Sequence, residues 1–322
     1  MCIALISTAH PAYSLIVINN RDEFLHRPTS DPDWWPESCS HVLGSRDLAR
    51  STHGTWMGVT KQGKLAVLTN YREDKAYQAI GQYSRGLIVN SWLTSPPSDR
   101  GSTHNFVQSM VASEEAKQVG GFSLVCGYIN EPLAIVSNRS SDMDQITWVA
   151  AEKDQTRGLS NTTVDDRTWP KILDGEKLME SAIEAHFQAQ EDEDALIQRL
   201  LQVLCIDTLP RLPEEENQDI DTYIKHLRKS IFVPVIGTKE DVNRKAEETA
   251  AARVEDEANQ APTNGGVGPD YTSGPYGTQK QTVLLATHDG RVRYFERTLY
   301  DTDVNAVPIG KGDRSFEFHI EQ

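Results

Sequence analysis

Cys2 is the residue of this sequence with the clearest potential for covalent chemistry. Its small side chain usually permits removal of the initiator Met1, which would leave a thiol and a free α-amine on one residue. Their ordinary pKa values are about 8.5 and about 8, so both groups titrate near neutral pH. Such a residue can attack a carbonyl carbon with sulfur and move the proton with its own amine. The alternative is a buried, unreactive cysteine at the start of a core strand.

A charged segment, Asn20-Arg21-Asp22-Glu23, closes the second apolar run of the chain and faces the run that begins with Cys2. A carboxylate near an α-amine orients it and stabilises its charge, and an arginine beside a thiol favours the thiolate. The segment therefore fits a site built around Cys2. It fits equally a solvated turn with structural ion pairs, since such pairs also perturb pKa values.

The remaining cysteines and the histidines show no metal-binding spacing. Cys39, Cys126 and Cys205 are scattered, without a CxxC pair, and the nine histidines contain no HExxH motif. This pattern indicates free thiols in a reducing compartment and predicts a cytoplasmic location. It leaves open an association with the Golgi or with mitochondria. We expect no metal site and no required cofactor.

Bulk composition excludes several classes of function. The 322 residues include 25% charged and 38% hydrophobic residues, as is usual for a globular protein. The net charge of −15 argues against nucleic acid as a partner, because nucleic-acid binding needs a basic surface. No apolar run reaches membrane-spanning length, and the N-terminus lacks the features of a secretory signal.

The elements that must position Cys2 are predicted to be hairpins, because apolar runs recur in pairs around short turns. A further strand is predicted at Ile146–Ala151 and a last one at Ser315–Ile320. The predicted hairpin strands are Cys2–Ser7 with Ser14–Asn19, Thr55–Thr60 with Lys64–Thr69, Phe122–Ile129 with Leu133–Ser137, and Thr282–Thr287 with Arg291–Arg297.

Helices are predicted in separate blocks between these hairpins, at Leu87–Leu93, Phe106–Val119, Lys177–Gln188 and Asp194–Leu204. Strands and helices that do not alternate favour an α+β fold, with antiparallel sheets layered against helices. Residues 239–275 are charged and alanine-rich at first and then rich in Gly, Pro and Asn. They predict a flexible insertion in a single domain that spans residues 1–322.

Several short motifs accompany the Met-Cys start and the Asn20-Arg21-Asp22-Glu23 tetrapeptide, and together they resemble the NRDE family, which includes transport and Golgi organisation proteins. The resemblance covers nearly the whole chain apart from 239–275. The matching motifs are Gly54-Thr55-Trp56-Met57-Gly58, Thr69-Asn70-Tyr71-Arg72, Ser84-Arg85-Gly86, Gly121-Phe122-Ser123-Leu124, Leu159-Ser160-Asn161 and Tyr276-Gly277-Thr278.

The NRDE family is in turn similar to N-terminal nucleophile hydrolases of the penicillin V acylase and bile-salt hydrolase type. This resemblance implies a four-layer αββα sandwich with Cys2 as the nucleophile. Asp22 would orient the amine of Cys2, Asn161 would donate to the oxyanion, and Asn70 or Tyr71 would be a second contributor. One such donor is commonly worth roughly 3 kcal/mol.

The resemblance also implies binding roles for Arg21, Glu23, Tyr71, Arg72 and Lys280. In the acylases an arginine precedes the aspartate by a few positions, whereas Arg21 here adjoins Asp22 and points to the opposite face of a continuing strand. The acylases also carry a late arginine. Lys280 in this region can supply charge but not a bidentate fork.

Two functions follow from the resemblance. One is a protein of Golgi organisation and protein secretion, related to lipid homeostasis, that binds and moves an acyl lipid or haem in the hydrolase-type pocket. Haem would then be a carried ligand, with Cys2 or His10 as the candidate axial ligand by general preference. The alternative is an N-terminal cysteine amidohydrolase or acyltransferase that acts on a small acyl amide.

Overall fold

The computed structural model describes residues 1–71, 84–96, 103–117, 119–212, 220–238, 271 and 273–321. In chain order its strands are β1 (Ile3–Ser7), β2 (Tyr13–Phe24), β3 (Asp33–Trp34), β4 (Val42–Gly44), β5 (Met57–Thr60), β6 (Lys64–Asn70), β7 (Phe122–Tyr128), β8 (Leu133–Ser137), β9 (Thr147–Val149), β10 (Thr156–Ser160), β11 (Tyr276–Thr287), β12 (Arg291–Thr298) and β13 (Asp313–His319). They form two antiparallel sheets, one in the order β10-β1-β2-β11-β12-β13 and the other in the order β3-β4-β5-β6-β7-β8-β9.

The helices within the described ranges lie in two groups along the chain. The helix Pro170–Ala189 begins with a proline in its first turn, where the missing N–H costs nothing. The helix Glu193–Leu204 begins after Asp192, whose side chain accepts from the backbone N–H of Ala195 and caps the helix. The helices are α1 (Gly86–Thr94), α2 (Thr103–Ala112), α3 (Glu114–Lys117), α4 (Pro170–Ala189), α5 (Glu193–Leu204) and α6 (Ile220–Tyr223).

Alternation of side chains along the strands creates the layers. On β1, Ala4 and Ile6 belong to the apolar cluster between the two sheets, whereas Ile3 and Leu5 pack with residues of α4 and α5 on the outer face. On the other sheet, Leu68 and Leu124 pack outward with residues of α1 and α2. The order of layers is therefore helix, sheet, sheet, helix, and the predicted four-layer αββα fold is confirmed.

Several predicted boundaries were wrong. The helix predicted at Phe106–Val119 is two pieces, α2 and α3, and α4 begins seven residues before the predicted Lys177. The short strands β3 and β4 and the strand β10 were not predicted. The segment 239–275 lies outside the described residues except for 271 and 273–275, so the predicted insertion stays a prediction.

The most consequential difference concerns β2, which runs on through Phe24 instead of ending at Asn19. Asn20, Arg21 and Asp22 lie inside the strand and are buried. The interpretation of this segment as a solvated turn was therefore wrong. β11 also starts earlier than predicted and pairs with β2 along nearly its whole length, which covers the charged segment from the side.

Candidate functional site

Cys2 directly precedes β1, whose neighbours in the sheet are β2 and β10. Ile3 pairs with Asn20 on β2 and with Ser160 on β10. Directly opposite residues share a face of the sheet, so this register puts Cys2 beside Arg21 on β2. The hydroxyl of Ser160 donates to the carbonyl oxygen of Cys2 at 2.7 Å. Cys2 itself is 8% exposed, and its Sγ lies 3.7 Å from the backbone oxygen of Asp22.

The α-amine of the chain, carried by Met1 in this structure, is held by Asp22. The Met1 nitrogen lies 3.2 Å from Asp22 Oδ2 and also donates to the hydroxyl of Tyr276. The other carboxylate oxygen, Oδ1, accepts from the hydroxyl of Thr278 at 2.7 Å. The structure thus places Asp22 beside the α-amine of the chain, which here belongs to Met1 and not to Cys2.

A buried lysine completes the surroundings of Met1. Lys171, in the first turn of α4, is fully buried, and its Nζ donates to the carbonyl oxygen of Met1 at 2.6 Å. Burial lowers the pKa of Lys171, and the negative charge of Asp22 opposes that shift. The carbonyl oxygen of the peptide bond between Met1 and Cys2 is therefore polarised by a hydrogen bond from Lys171.

Arg21 points away from Asp22, as the alternation along a strand requires. Its guanidinium carbon lies 4.2 Å from the ring centroid of Trp56, and Nη1 donates to the side-chain oxygen of Gln279. A β-bulge in β11 creates this contact, since Thr278 pairs with Asp22 and Lys280 pairs with Arg21, which leaves Gln279 as the extra residue.

Burial dominates the electrostatics of the site while Met1 is present. Desolvation raises the pKa of the Cys2 thiol, although the nearby α-amine opposes the shift. Desolvation also lowers the pKa of the α-amine of Met1, and Asp22 opposes that shift. Both effects favour the neutral forms, so the unprocessed chain holds Cys2 as a thiol and not as a reactive thiolate.

Two asparagines predicted to bind an oxyanion lie at neighbouring strand ends. Asn161 follows β10 directly and is buried, and its Oδ1 has no hydrogen-bond partner within the described part of the chain. Asn70 ends β6 and is half-buried. The hydroxyl of Thr69 donates to the carbonyl oxygen of Ser160 at 2.9 Å, which joins the two strand ends. The structure thus brings Asn70 and Asn161 to the same end of the sandwich as Cys2.

Other predicted binding residues have different surroundings. Glu23 is half-buried and lies 4.0 Å from Arg21. The ring of Tyr71 is covered by Arg139, with the guanidinium carbon 3.8 Å from its centroid. Arg72 lies outside the described residues. Lys280 is buried in an ion pair with Glu296 at 3.1 Å, so its ammonium is already bound by a carboxylate.

Lys171, Tyr276 and Gln279 contact site residues, but the sequence did not reveal this. Tyr276 belongs to one of the matching motifs, which was a usable signal. Lys171 follows Trp169-Pro170 at a helix start, and nothing local to that segment indicates that the lysine is buried. His10 was suggested as a ligand beside Cys2, but it lies away from the site, beyond the far end of β1. Cys2 and Ser7 are already about 17 Å apart, at ~3.3 Å per strand residue.

Comparison with known proteins gives the family of the chain. Residues 1–301 match the model of the family described as Transport and Golgi organisation 2. The Transport and Golgi organization protein 2 homologs of Bos taurus and Homo sapiens are 29% and 28% identical to it, over 91% and 96% of this chain and 89% and 94% of theirs. A solved structure of the C2A mutant of conjugated bile acid hydrolase from Clostridium perfringens aligns with a TM-score of 0.37 and 10% identity, covering 99% of this chain and 97% of that one. The chain belongs to the Transport and Golgi organisation 2 family.

Proposed function

We propose that removal of Met1 converts this protein into an N-terminal cysteine hydrolase of linear amide bonds. The observation that carries the proposal is the ion pair between the α-amine of the chain and Asp22, at 3.2 Å, directly beside the residue with the thiol. Arg21 lies opposite Cys2 on the neighbouring strand. Its positive charge favours the thiolate once the thiol is no longer covered by Met1.

The reaction needs few groups. The α-amine of Cys2 takes the thiol proton, and the sulfur attacks the carbonyl carbon of the amide. The carbonyl electron pair moves to oxygen, where the side-chain amides of Asn161 and Asn70 donate to it. The C–N bond then breaks, the proton passes to the leaving amine, and water hydrolyses the thioester to a carboxylic acid. Transfer to another acceptor in place of water gives an acyltransferase.

The test combines two measurements on the purified protein. Intact mass is expected to show that Met1 is absent, and incubation with a panel of acyl amides is expected to add an acyl mass to Cys2. Cys2→Ala should abolish the adduct, and Asp22→Asn should lower its rate of formation by at least about tenfold, because the amine loses its orienting carboxylate. Retention of Met1 in protein that still reacts with acyl amides would disprove the mechanism.

Cys205→Ala is the matched control, because Cys205 is an exposed thiol elsewhere in the chain. This variant should form the adduct at the rate of the unmodified protein. If it lost the adduct and Cys2→Ala did not, the reactive residue would be a surface cysteine and the proposal would be wrong.

A second function is supported by the apolar cluster around the N-terminus. Met1 packs in a cluster with Trp169, Leu227 and Tyr276, close to the buried groups of the site. We propose as the alternative that the protein binds and carries a small apolar ligand there, an acyl lipid or haem, as part of a role in Golgi organisation and protein secretion. The names of the curated relatives support the Golgi role.

A haem titration tests the carried ligand. We expect a Soret shift with Cys2 as the axial ligand, and Cys2→Ala should change it. His10→Ala should leave the shift unchanged, since His10 lies beyond the far end of β1 and its Nε2 lies 3.1 Å from His186 Nδ1. Absence of any shift would remove haem from the proposal. The Golgi role is tested by secretion of a reporter protein from cells that lack this chain, where an unchanged rate would contradict it.

A further inference from the structure

Gln279 is an extra residue in β11, and the β-bulge at this position turns its side chain toward Arg21. Thr278 pairs with Asp22 and Lys280 pairs with Arg21, so Gln279 has no residue opposite it on β2. Lys280 shares a face of the sheet with Arg21 because the two are directly opposite, yet Gln279 reaches Arg21 on that same face. In a regular strand, neighbouring side chains point to opposite faces. The bulge therefore gives Arg21 a neutral partner that a regular strand would not provide.

The amide group of Gln279 is fixed in one orientation. Its oxygen accepts from Nη1 of Arg21, and its Nε2 donates to the backbone oxygen of Leu25 at 3.0 Å. A reversed amide would bring two donors together at Arg21 and two oxygens together at Leu25. The backbone N–H of Leu25 donates in turn to the backbone oxygen of Pro275 at 2.8 Å, which anchors this end of β2 on the chain before β11. Gln279 is buried, so its side chain is a fixed acceptor for the guanidinium.

Arg21 keeps its charge because the acceptor of its Nη1 is neutral. The ring of Trp56 covers the guanidinium carbon at 4.2 Å, and the carboxylate of Glu23 lies 4.0 Å from Nη2, beyond hydrogen-bond distance. Arg27 shows the opposite arrangement, since both carboxylate oxygens of Asp47 accept from it, at 3.2 and 2.7 Å. A bidentate carboxylate cancels much of the field of an arginine, whereas an amide oxygen holds the guanidinium and leaves its charge in place.

The charge of Arg21 acts on Cys2. The register of β1 and β2 puts the two residues opposite each other on one face of the sheet. Burial raises the pKa of the Cys2 thiol, and Arg21 is among the groups whose charge opposes that rise. Burial lowers the pKa of Arg21, and the negative charges of Glu23 and of a Cys2 thiolate oppose that fall. The position of the guanidinium therefore decides how well a thiolate at Cys2 is stabilised.

We propose that Gln279 is a positioning residue for the thiolate of Cys2, because it holds the guanidinium of Arg21 beside the sulfur without neutralising it. The inference rests on the loss of Met1 that the proposed function requires. When the thiol proton passes to the α-amine of Cys2, the negative charge left on sulfur is stabilised by Arg21. No proton leaves Arg21 or Gln279 in this step. An acidic side chain at position 279 would bind Arg21 more strongly and stabilise the thiolate less.

Titration of the thiol tests this role. The chain is released without Met1 by cutting a fusion partner directly before residue 2. The ultraviolet absorbance of the thiolate is followed against pH, and the signal of the Cys2→Ala chain is subtracted. Gln279→Glu should reduce the thiolate fraction of Cys2 at neutral pH by at least about tenfold, because the new carboxylate neutralises Arg21. Gln279→Met should reduce it by at least about threefold, because Arg21 loses its fixed acceptor and moves toward Glu23.

Gln281→Glu is the matched control, because it makes the same substitution two residues along β11. The side chain of Gln281 donates to Asn20 Oδ1 at 3.3 Å, and Asn20 alternates with Arg21 along β2, so this carboxylate would lie on the opposite face of the sheet. The control should titrate as the unsubstituted chain does. Circular dichroism checks that each variant is folded, and Gln279→Met keeps the test valid if Gln279→Glu fails to fold.

An unchanged titration in both Gln279→Glu and Gln279→Met would overturn the inference, and so would an equal loss in Gln281→Glu. A merely structural role would lower the midpoint of urea denaturation and leave the titration of the folded chain unchanged. The proposed hydrolase fails separately, if the chain with a titrating Cys2 forms no thioester with any acyl amide. A hydrolase whose rate and pH profile were unaltered in Gln279→Met would stand without Gln279.

Discussion

Lys171 and Lys280 are both buried lysines, and they differ in what holds the ammonium. Lys280 has a carboxylate partner, Glu296, together with the hydroxyl of Thr298 and the backbone oxygen of Ser30. Lys171 has the carbonyl oxygen of Met1. The first is an internal ion pair that belongs to the sandwich, and the second is a contact to the one residue that processing would remove.

Lys280→Met should therefore destabilise the fold without touching the site. It leaves Glu296 buried without its cation, which costs about 3–5 kcal/mol in the free energy of unfolding. Urea denaturation measures this cost, and the rate of Cys2 alkylation should not change. The double variant with Glu296→Gln should recover part of the loss. Unchanged stability of Lys280→Met would mean that the pair contributes nothing.

His10 gives a prediction about pH. Burial, together with the neighbouring His186, lowers the pKa of His10 to about 4. Its Nδ1 accepts from the backbone N–H of Ala12 at 3.0 Å, and protonation would break that bond. At pH values between the ordinary pKa of about 6.5 and the pKa in the folded chain, His10 is protonated in the unfolded chain and neutral in the folded chain. His10 thus does not change the free energy of unfolding above about pH 6.5 and lowers it as the pH falls below that value.

We expect this residue to lower the free energy of unfolding by about 1–2 kcal/mol between about pH 7 and about pH 5. His10→Gln should remove that part of the pH dependence in urea denaturation, whereas His104→Gln on the exposed face of α2 should retain it. Equal pH slopes for the parent and His10→Gln would contradict the assignment.

At the scale of elements, two sequence motifs far apart in the chain prove to be one contact. A Cβ placed on Gly54 would lie 2.8 Å from the Cα of Gly86, and the reverse distance from Gly86 to Gly54 is also 2.8 Å. Gly54 precedes Trp56, which packs against Arg21, and Gly86 begins α1. The close approach of these two backbones fixes the start of α1 beside the sheet that faces Cys2.

Gly54→Ala should push α1 away from this position. We expect a loss of about 1–3 kcal/mol in the free energy of unfolding, because backbone and not a flexible side chain meets the new methyl group. Thermal or urea denaturation checks this, with Ser51→Ala in the neighbouring exposed turn as control. A stable Gly54→Ala protein would show that the two segments can separate without cost.

At the scale of the whole molecule, the described residues form four apolar clusters, and tryptophans lie in three of them. Trp56 lies in the cluster between the sheets, Trp92 in the cluster of α1 and α2, and Trp169 in the cluster near Met1. No helix of the described ranges combines the length and apolar character needed to cross a bilayer. Because these clusters pack against the same two sheets, the loss of one cluster would expose apolar residues of its neighbours.

We propose that residues 1–322 form a single domain, as the sequence predicts, and therefore expect one cooperative unfolding transition. Tryptophan fluorescence reports on the three clusters that contain Trp56, Trp92 and Trp169, and far-ultraviolet circular dichroism reports on the backbone, so the two signals should give the same midpoint in urea. Two resolved transitions would contradict the single domain. The prediction holds for the chain with or without Met1, since the N-terminal residue adds to a cluster that other residues already form.

The sequence by itself determined much of the fold, since strand and helix periodicities are local. The predicted hairpins join near neighbours in the chain, and the blocks of strands and helices sufficed for an α+β fold with antiparallel sheets layered against helices. The αββα order of the layers was implied by the family resemblance, and the pairing of β6 with β7 was not predicted. The residue types of Cys2 and Asp22, together with the motif around them, also predicted that both belong to a site.

Only the tertiary structure decided what surrounds these residues. The contact of Lys171 with Met1 joins positions 170 residues apart, and that of Arg21 with Gln279 joins positions 258 apart. Neither leaves a periodic trace in the sequence. Burial of Arg21 and Asp22 likewise depends on β11 covering β2, which no local pattern near Asp22 requires. A sequence specifies which groups exist, and long-range packing decides which of them are desolvated together and hence what chemistry they can perform.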